Sequence, residues 1–179
     1  MKTTSLITAL GICAGVLAAP AMAAGTLLKF DKGIGVHPVA GLSGTPNAAG
    51  AFPDVLRNDV QGVPPGGRPW VIEKLKVTVK DDGSISARGE GLLLAGGNGI
   101  GTVGPVTSVA ASLFCGTQRF DSDAAPLSTG GNFVIGGLLN TSPPNPCTGA
   151  VLLIRNASST GGVVTLGSWF AAGIRGDED

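Results

Sequence analysis

The sequence is poor in the residues from which most catalytic and metal sites are built. Its 179 residues include no tyrosine, one histidine (His37) and three cysteines, and only 4% are aromatic. A single histidine cannot supply histidine-rich zinc or copper centres, so we expect no metal and no cofactor. Charged residues make up 13% of the chain, with 12 basic and 12 acidic side chains. A neutral chain with few aromatics lacks the signature of nucleic-acid binding, so we expect no nucleic-acid partner.

Glycine and proline are abundant instead, with 30 and 12 residues. The glycines follow no triplet period, which excludes a collagen-like chain. A mean hydropathy of +0.35 with so little charge is the reverse of a disordered composition. The length fits a single domain, because domains usually contain roughly 100–200 residues.

The first 23 residues have the three parts of a secretory signal peptide. Lys2 precedes an apolar run from Leu6 to Ala19, and a small-residue end follows at 21–23. The apolar run is shorter than the about 20 residues that a membrane-spanning helix needs. We therefore predict cleavage near Ala23, a mature chain at 24–179 without a membrane span, and a secreted or periplasmic location.

Two cysteines, Cys115 and Cys147, stay in the mature chain when Cys13 leaves with the signal peptide. An even pair in an oxidising compartment predicts a disulfide bond. The spacing differs from the Cys-x-x-Cys of redox pairs, and His37 alone cannot complete a zinc site with these cysteines.

Alternation of apolar and polar residues identifies the strands. Within 73–95, such alternation runs on both sides of the turn sequence Asp81-Asp82-Gly83, which predicts a β-hairpin. The first strand of this hairpin is predicted to begin at 70–72. Weaker strand patterns lie at 27–30, 33–39, 106–115, 132–139, 151–155 and 163–174.

Glycine or proline clusters separate these segments, a pattern that favours an antiparallel β-sandwich. We predict an all-β fold with little helix: one immunoglobulin-like or jelly-roll-like sandwich domain of roughly seven to nine strands at 24–179. The glycine- and proline-rich stretch at about 41–69 is predicted as an irregular surface segment. Its one candidate for a short helix, near 48–58, would be interrupted by Pro53.

Residues 99–104 match the dinucleotide-binding pattern G-x-G-x-x-G. That motif needs a helix to open within it, and Pro105 with the β-branched residues after it argues against a helix. We interpret the segment as a loop between two strands. His37 is not accompanied by the nucleophile-elbow sequence Gly-x-Ser-x-Gly, so the sequence does not indicate a serine hydrolase site.

Carboxylates offer a further route to catalysis. A hydrolytic pair could be drawn from Asp54, Glu73, Glu90 or Asp121, but the sequence selects no pair. Asp121 and Asp123 alternate as they do in calcium loops. They lack the glycine and the closing glutamate of an EF-hand, which favours a solvated loop.

Three further patterns have simple explanations. Trp70 and Trp169 lie in apolar strand contexts and are predicted as core rather than as sugar-stacking platforms. Arg175-Gly176-Asp177 spells the tripeptide that integrins recognise, but at an acidic chain end we expect a chance match. Asn140 and Asn156 begin glycosylation sequons, which matter only if the host glycosylates asparagine.

Seven short stretches of the mature chain form a familiar combination. They are LLKF at 27–30, GIGV at 33–36, PWVI at 69–72, DGSI at 82–85, GLLLAGG at 91–97, LFC at 113–115 and WFAAG at 169–173. Together they resemble a group of small secreted bacterial proteins with no assigned activity. The resemblance covers most of the mature chain and implies an exported bacterial protein, without a ligand or a catalytic residue.

We expect a non-enzymatic secreted or periplasmic module for binding or surface structure, with a protein or a glycan as its partner. Loops on a rigid β scaffold are where recognition usually lies. The alternative is a small extracellular hydrolase whose carboxylates assemble in three dimensions. An enzyme requires a concave pocket with shifted pKa values, whereas a binding module requires a flat or loop-borne surface.

The signal peptide and the disulfide together predict the mass of the exported protein. Intact mass spectrometry should give the mass of residues 24–179 less two hydrogens, because cleavage removes 1–23 and oxidation joins two thiols. An uncleaved chain would contradict the first prediction, and free thiols at Cys115 and Cys147 would contradict the second.

Overall fold

The computed structural model describes residues 23–176, which form strands and turns without a helix. The predicted signal peptide, except Ala23, and Asp177 of the integrin-like tripeptide lie outside the described residues. No helix in the described range is long and apolar enough to cross a membrane. The strands are β1 (Thr26–Gly35), β2 (Ala40–Ser43), β3 (Asp54–Arg57), β4 (Trp70–Val71), β5 (Lys74–Lys80), β6 (Ser84–Glu90), β7 (Leu93–Leu94), β8 (Ser108–Cys115), β9 (Gln118–Asp121), β10 (Ala125–Pro126), β11 (Phe133–Leu138), β12 (Val151–Thr160) and β13 (Val163–Arg175). The predicted all-β class is confirmed.

The hairpin predicted from alternation is formed by β5 and β6. They pair antiparallel with Val77 opposite Ala87, and the apolar residues of both strands are buried. In the turn, Gly83 has a φ of 84°, and the Ser84 amide donates a hydrogen bond to Asp82 Oδ1 at 2.8 Å. Glycine reaches this left-handed conformation without steric cost, which explains why the chain reverses here.

Nine strands form one continuous antiparallel sheet. Its order is β10-β8-β12-β13-β1-β5-β6-β11, with β9 also paired to β8. The end strands β10 and β11 lie close together, and Asn140, just after β11, exchanges hydrogen bonds with Asp121 of β9. The sheet therefore curls until its two ends meet. The sandwich predicted from the sequence is not confirmed, because adjacent strands stay hydrogen-bonded along the whole order.

The core lies inside the curled sheet. Five strands each contribute a large side chain that is at most 1% exposed: Phe30, Leu75, Leu113, Ile135 and Leu152. Successive residues are buried in the middle of β8 and of β12, so both faces of these strands are covered. The predicted disulfide joins Cys115, at the end of β8, to Cys147 in the loop before β12.

Two strand predictions are wrong in extent. The segments at 27–30 and 33–39 belong mostly to the single strand β1, which has a bulge between Phe30 and Lys32. The stretch at 70–72 does not begin the hairpin, because β4 pairs with β7 in a separate small sheet. β4 crosses closely over Gly35, and the Trp70 amide donates a hydrogen bond to the Val36 carbonyl at 2.8 Å.

The stretch at 41–69 is not irregular throughout, and the short helix considered near 48–58 does not form. β2 and β3 pair antiparallel, with Gly41 opposite Leu56, in a two-stranded hairpin (40–57) that we call the arm. In its loop, Asn47 Oδ1 accepts hydrogen bonds from two nearby amides. Pro53, just before β3, has no amide hydrogen to donate, so a helix could not be hydrogen-bonded through this position. The side chain of Asn47 holds the turn instead.

Gly35 should not tolerate a side chain. A Cβ at this position would collide with the Trp70 carbonyl oxygen and would lie 2.7 Å from the Val71 Cα. Denaturant unfolding should show that Gly35→Ala lowers the free energy of unfolding by about 1–3 kcal/mol, the usual cost of overpacking. Gly136→Ala is the matched control, because nothing lies within 4 Å of the added Cβ. Equal stability of the two variants would contradict the close crossing of β1 and β4.

Candidate functional site

Lysine and arginine side chains gather on the outer face of β1, β5 and β6. In β5 the apolar residues are buried and the alternate lysines are exposed. Antiparallel pairing adds one cation from each neighbouring strand to this outer face. We call the surface the cationic face, and its members are Lys29, Lys74, Lys76, Lys80 and Arg88. Strand geometry brings them together, because alternate residues share a face and paired residues lie side by side.

Like charges lie next to each other on the cationic face. Lys76 is directly opposite Arg88, and a like-charge pair in this position is destabilising. In the adjacent row, Thr78 lies between Lys29 of β1 and Ser86 of β6. The surface is therefore the outer face of the curled sheet, on which hydroxyl groups lie between cations.

One carboxylate, Glu90, neutralises part of the cationic face. Its Oε2 lies 3.0 Å from Lys74 Nζ, and its Oε1 lies 3.6 Å from Arg88 Nε. The hydrogen bond from Lys74 lowers the pKa of Glu90, and the same contact raises the pKa of Lys74. The other three cations of the face, Lys29, Lys76 and Lys80, have no ion pair within 4 Å among the described residues. The charge of Lys80 contributes to the lowered pKa of Asp82 in the adjoining turn, after the hydrogen bonds from Ser84.

A polar cleft of about 380 Å³ lies where the two ends of the sheet meet. Both carboxylate oxygens of Asp121 are engaged there: Ser112 Oγ donates to Oδ1 at 2.6 Å, and Arg119 Nε lies 3.0 Å from Oδ2. Asp123 lines the same cleft and is exposed. The described part of the chain contains no group of three or more His, Cys, Asp or Glu residues that could hold a metal ion.

A buried arginine underlies this cleft. Arg155 is 5% exposed, and its Nη1 donates to Ser112 Oγ at 3.3 Å while its Nε donates to the Gly167 carbonyl at 2.9 Å. Burial lowers the pKa of Arg155, the charge of Arg119 lowers it further, and Asp121 opposes both effects. The chain of contacts from Arg155 through Ser112 to Asp121 joins β12, β8 and β9. We therefore assign these polar groups to holding the sheet ends in place.

The four carboxylates considered for a hydrolase are spread over three parts of the surface. Asp54 lies on the arm, and Asp121 lies in the polar cleft. Glu73 lies beside Glu90, and the Glu73 amide donates to the Glu90 carbonyl at 2.9 Å. A glycosidase acid needs a raised pKa, whereas that of Glu90 is lowered. The lowered pKa therefore does not suit Glu90 for the role of the acid in this pair.

His37 and the dinucleotide-like segment at 99–104 both lie in loops between strands. His37 is exposed, and its carbonyl accepts a hydrogen bond from Asn58 Nδ2 at 3.0 Å. Residues 99–104 form a loop after β7, in which the Gly101 amide donates to the Leu94 carbonyl at 2.9 Å. No helix opens in this loop, so the dinucleotide pattern lacks the geometry it needs.

Both tryptophans belong to the core, as predicted. Trp70 is 3% exposed and stacks on Phe170, with ring centroids 4.2 Å apart. Trp169 is 6% exposed, and its indole N–H has no hydrogen-bond partner in the described part of the chain. Neither ring is available as a stacking platform for a sugar.

The sequon and integrin-like residues lie in or next to strands of the sheet. Asn140 uses its side-chain oxygen to accept a hydrogen bond from the Asp121 amide at 3.1 Å. Asn156 lies in β12, where its side chain approaches Gly167. Arg175 is the last residue of β13.

The sequence carries a signal for the cationic face that net charge conceals. The pattern K-x-K-x-T-x-K at 74–80, a tight turn, and S-x-S-x-R at 84–88 set these polar residues on one face of a hairpin. The sum of 12 basic and 12 acidic side chains hides this arrangement, and even within 73–90 the four cations are matched in number by Glu73, Asp81, Asp82 and Glu90, which lie at the two ends of the hairpin.

Comparison of the chain with family models, with curated proteins and with solved structures finds no match in any of the three. The function therefore has to be inferred from the geometry of the chain itself.

Proposed function

We propose that the chain is a non-enzymatic exported module that binds an anionic glycan through the cationic face. The observation that carries this proposal is the set of three cations, Lys29, Lys76 and Lys80, that lie on one outer sheet face without an ion pair within 4 Å among the described residues. Export is supported by the signal-like leader and by the Cys115–Cys147 disulfide, which persists in oxidising compartments.

The spacing of the cations suits a polymer with repeating negative charges. Alternate residues of a strand lie roughly 7 Å apart and neighbouring strands about 4.8 Å apart, so the face offers cations at regular intervals. Thr78 and Ser86 add hydroxyl groups that hydrogen-bond to sugar oxygens. Asp81 and Asp82 in the turn repel a polyanion at one end of the face, and Glu90 does so at the other end. The polymer would therefore lie on the strand residues between the turn and Glu90.

Uneven charge distribution is the central requirement of this proposal. Without its leader the chain carries 11 basic and 12 acidic groups, so net charge alone repels a polyanion. Attraction can then arise only from cations that lie close together, because salt screens charges more than about 10 Å apart at 0.1 M ionic strength.

Binding to dextran sulfate, measured at several salt concentrations, tests the proposal with a matched pair of double variants. Log affinity falls as log salt rises, and Lys76→Gln/Lys80→Gln should reduce the magnitude of this slope by about two, one for each lost contact. Arg57→Gln/Arg68→Gln removes the same charge from exposed sites outside the face and should leave the slope unchanged.

Two outcomes would overturn the proposal. One is that the unmodified protein fails to bind dextran sulfate at low salt. The other is that the control variant loses as much affinity as the face variant, since binding would then follow net charge and not the cationic face.

A further inference from the structure

The chain contains one Asn-Gly pair, Asn98-Gly99, in the loop that follows β7. In such a pair the backbone nitrogen of the glycine is tethered next to the side-chain carbonyl of the asparagine, and their reaction closes a succinimide ring. Glycine favours the reaction because it has no Cβ to hinder the approach of its nitrogen. Asn98 is exposed, so the water that completes the reaction can reach it.

The two nitrogen atoms that take part in this ring closure are not held by hydrogen bonds. Neither the Gly99 amide nor Asn98 Nδ2 donates a hydrogen bond within the described residues. The loop around them is fixed, because the Gly101 amide donates to the Leu94 carbonyl at 2.9 Å and the Leu94 amide donates to the Thr102 carbonyl at 2.8 Å. The fold therefore presents the reacting pair on a fixed loop without engaging its reacting nitrogens.

Arg68 places a cation at the oxygen that gains negative charge during ring closure. Its Nη1 donates a hydrogen bond to Asn98 Oδ1 at 3.2 Å, and the same atom lies 3.6 Å from the position that a Cβ on Gly99 would take. Among the described residues no carboxylate lies within 4 Å of the Arg68 guanidinium. A cation held at this oxygen stabilises the tetrahedral intermediate, in which the oxygen is an anion.

We propose that Asn98-Gly99 is a self-modification site, at which Arg68 promotes the conversion of Asn98 to aspartate and isoaspartate. The Gly99 nitrogen loses its proton to solvent base and bonds to the side-chain carbonyl carbon of Asn98. The bond from that carbon to Nδ2 breaks, and ammonia leaves after taking up a proton from solvent. Water then opens the ring: attack at the side-chain carbonyl gives aspartate, and attack at the backbone carbonyl gives isoaspartate.

The modification changes the charge of the loop. Asn98 is neutral, whereas either product has a carboxylate that can form an ion pair with Arg68. The loss of ammonia to solvent makes the change one-way, so the modified fraction should rise with the time since synthesis. The site does not depend on glycan binding by the cationic face.

Peptide mapping by mass spectrometry tests the site, after the exported, disulfide-bonded protein has been incubated in heavy-oxygen water at mildly alkaline pH. Asn98 should lose one ammonia and gain one water, with one heavy oxygen in the product. Asn47 is the internal control: it is exposed and its Oδ1 also accepts hydrogen bonds, but Ala48 follows it, so it should react more slowly. Gly99→Ala should slow Asn98 to the rate of Asn47. The added Cβ would meet only the flexible end of Leu94 closely, at 3.1 Å, so the loop should persist.

Arg68→Gln separates the action of Arg68 from the reactivity of any Asn-Gly pair. In the folded protein this variant should slow the reaction of Asn98 about threefold or more. The effect should stay below the about hundredfold loss at an enclosed oxyanion site, because water screens this exposed loop. In concentrated urea both proteins should react equally fast, since unfolding separates Arg68 from Asn98. Arg88→Gln removes an exposed guanidinium from the cationic face and should leave the folded rate unchanged.

Three results would overturn the proposal. The first is an unsubstituted protein in which Asn98 takes up no heavy oxygen, or takes it up no faster than Asn47. The second is an Arg68→Gln variant that reacts as fast as the unsubstituted protein in the folded state. The third is an Arg88→Gln control that slows the reaction as much as Arg68→Gln does, because the rate would then follow net charge and not the contact of Arg68 with Asn98.

Discussion

The alternation of side chains along a β-strand is the constraint on which both the fold and the candidate site depend. In β5, Leu75, Val77 and Val79 occupy alternate positions and are buried, so the residues between them must face outward. Pairing with β1 and β6 repeats the same division in register. The forces that bury the core therefore also gather Lys29, Lys76 and Arg88 on one surface, although like charges repel there.

Closure of the sheet depends on a second, polar set of contacts. A continuous sheet has two ends, and here Asp121 and Asn140 join them through hydrogen bonds at 2.8 and 3.1 Å. Asp121 is fixed in turn by Ser112 and by Arg119, and Arg155 lies beneath Ser112. The carboxylate of Asp121 is thus engaged within the chain, while its backbone amide and carbonyl hydrogen-bond to Asn140.

Local sequence signals predicted the parts of the fold that depend on neighbouring residues. The β5–β6 hairpin follows from alternation around Gly83, and the disulfide follows from the two cysteines that remain after the predicted signal peptide. The single curled sheet was not predictable in this way, because β1 pairs with β13 and β8 with β12 over long sequence separations. The arm was missed because glycine and proline dominate its surroundings, whereas each of its strands needs just four residues. The cationic face was missed because the net charge of the chain does not show where the charged residues lie in the structure.

The central claim, that the outer face of β1, β5 and β6 is the binding surface, is tested most directly by mapping backbone amide chemical shifts during titration with dextran sulfate. The account predicts that the largest shifts occur at Lys76, Thr78, Lys80, Ser86 and Arg88, and that they disappear at high salt. Shifts centred on Asp121 and Asp123 in the polar cleft, with the sheet face unaffected, would contradict it.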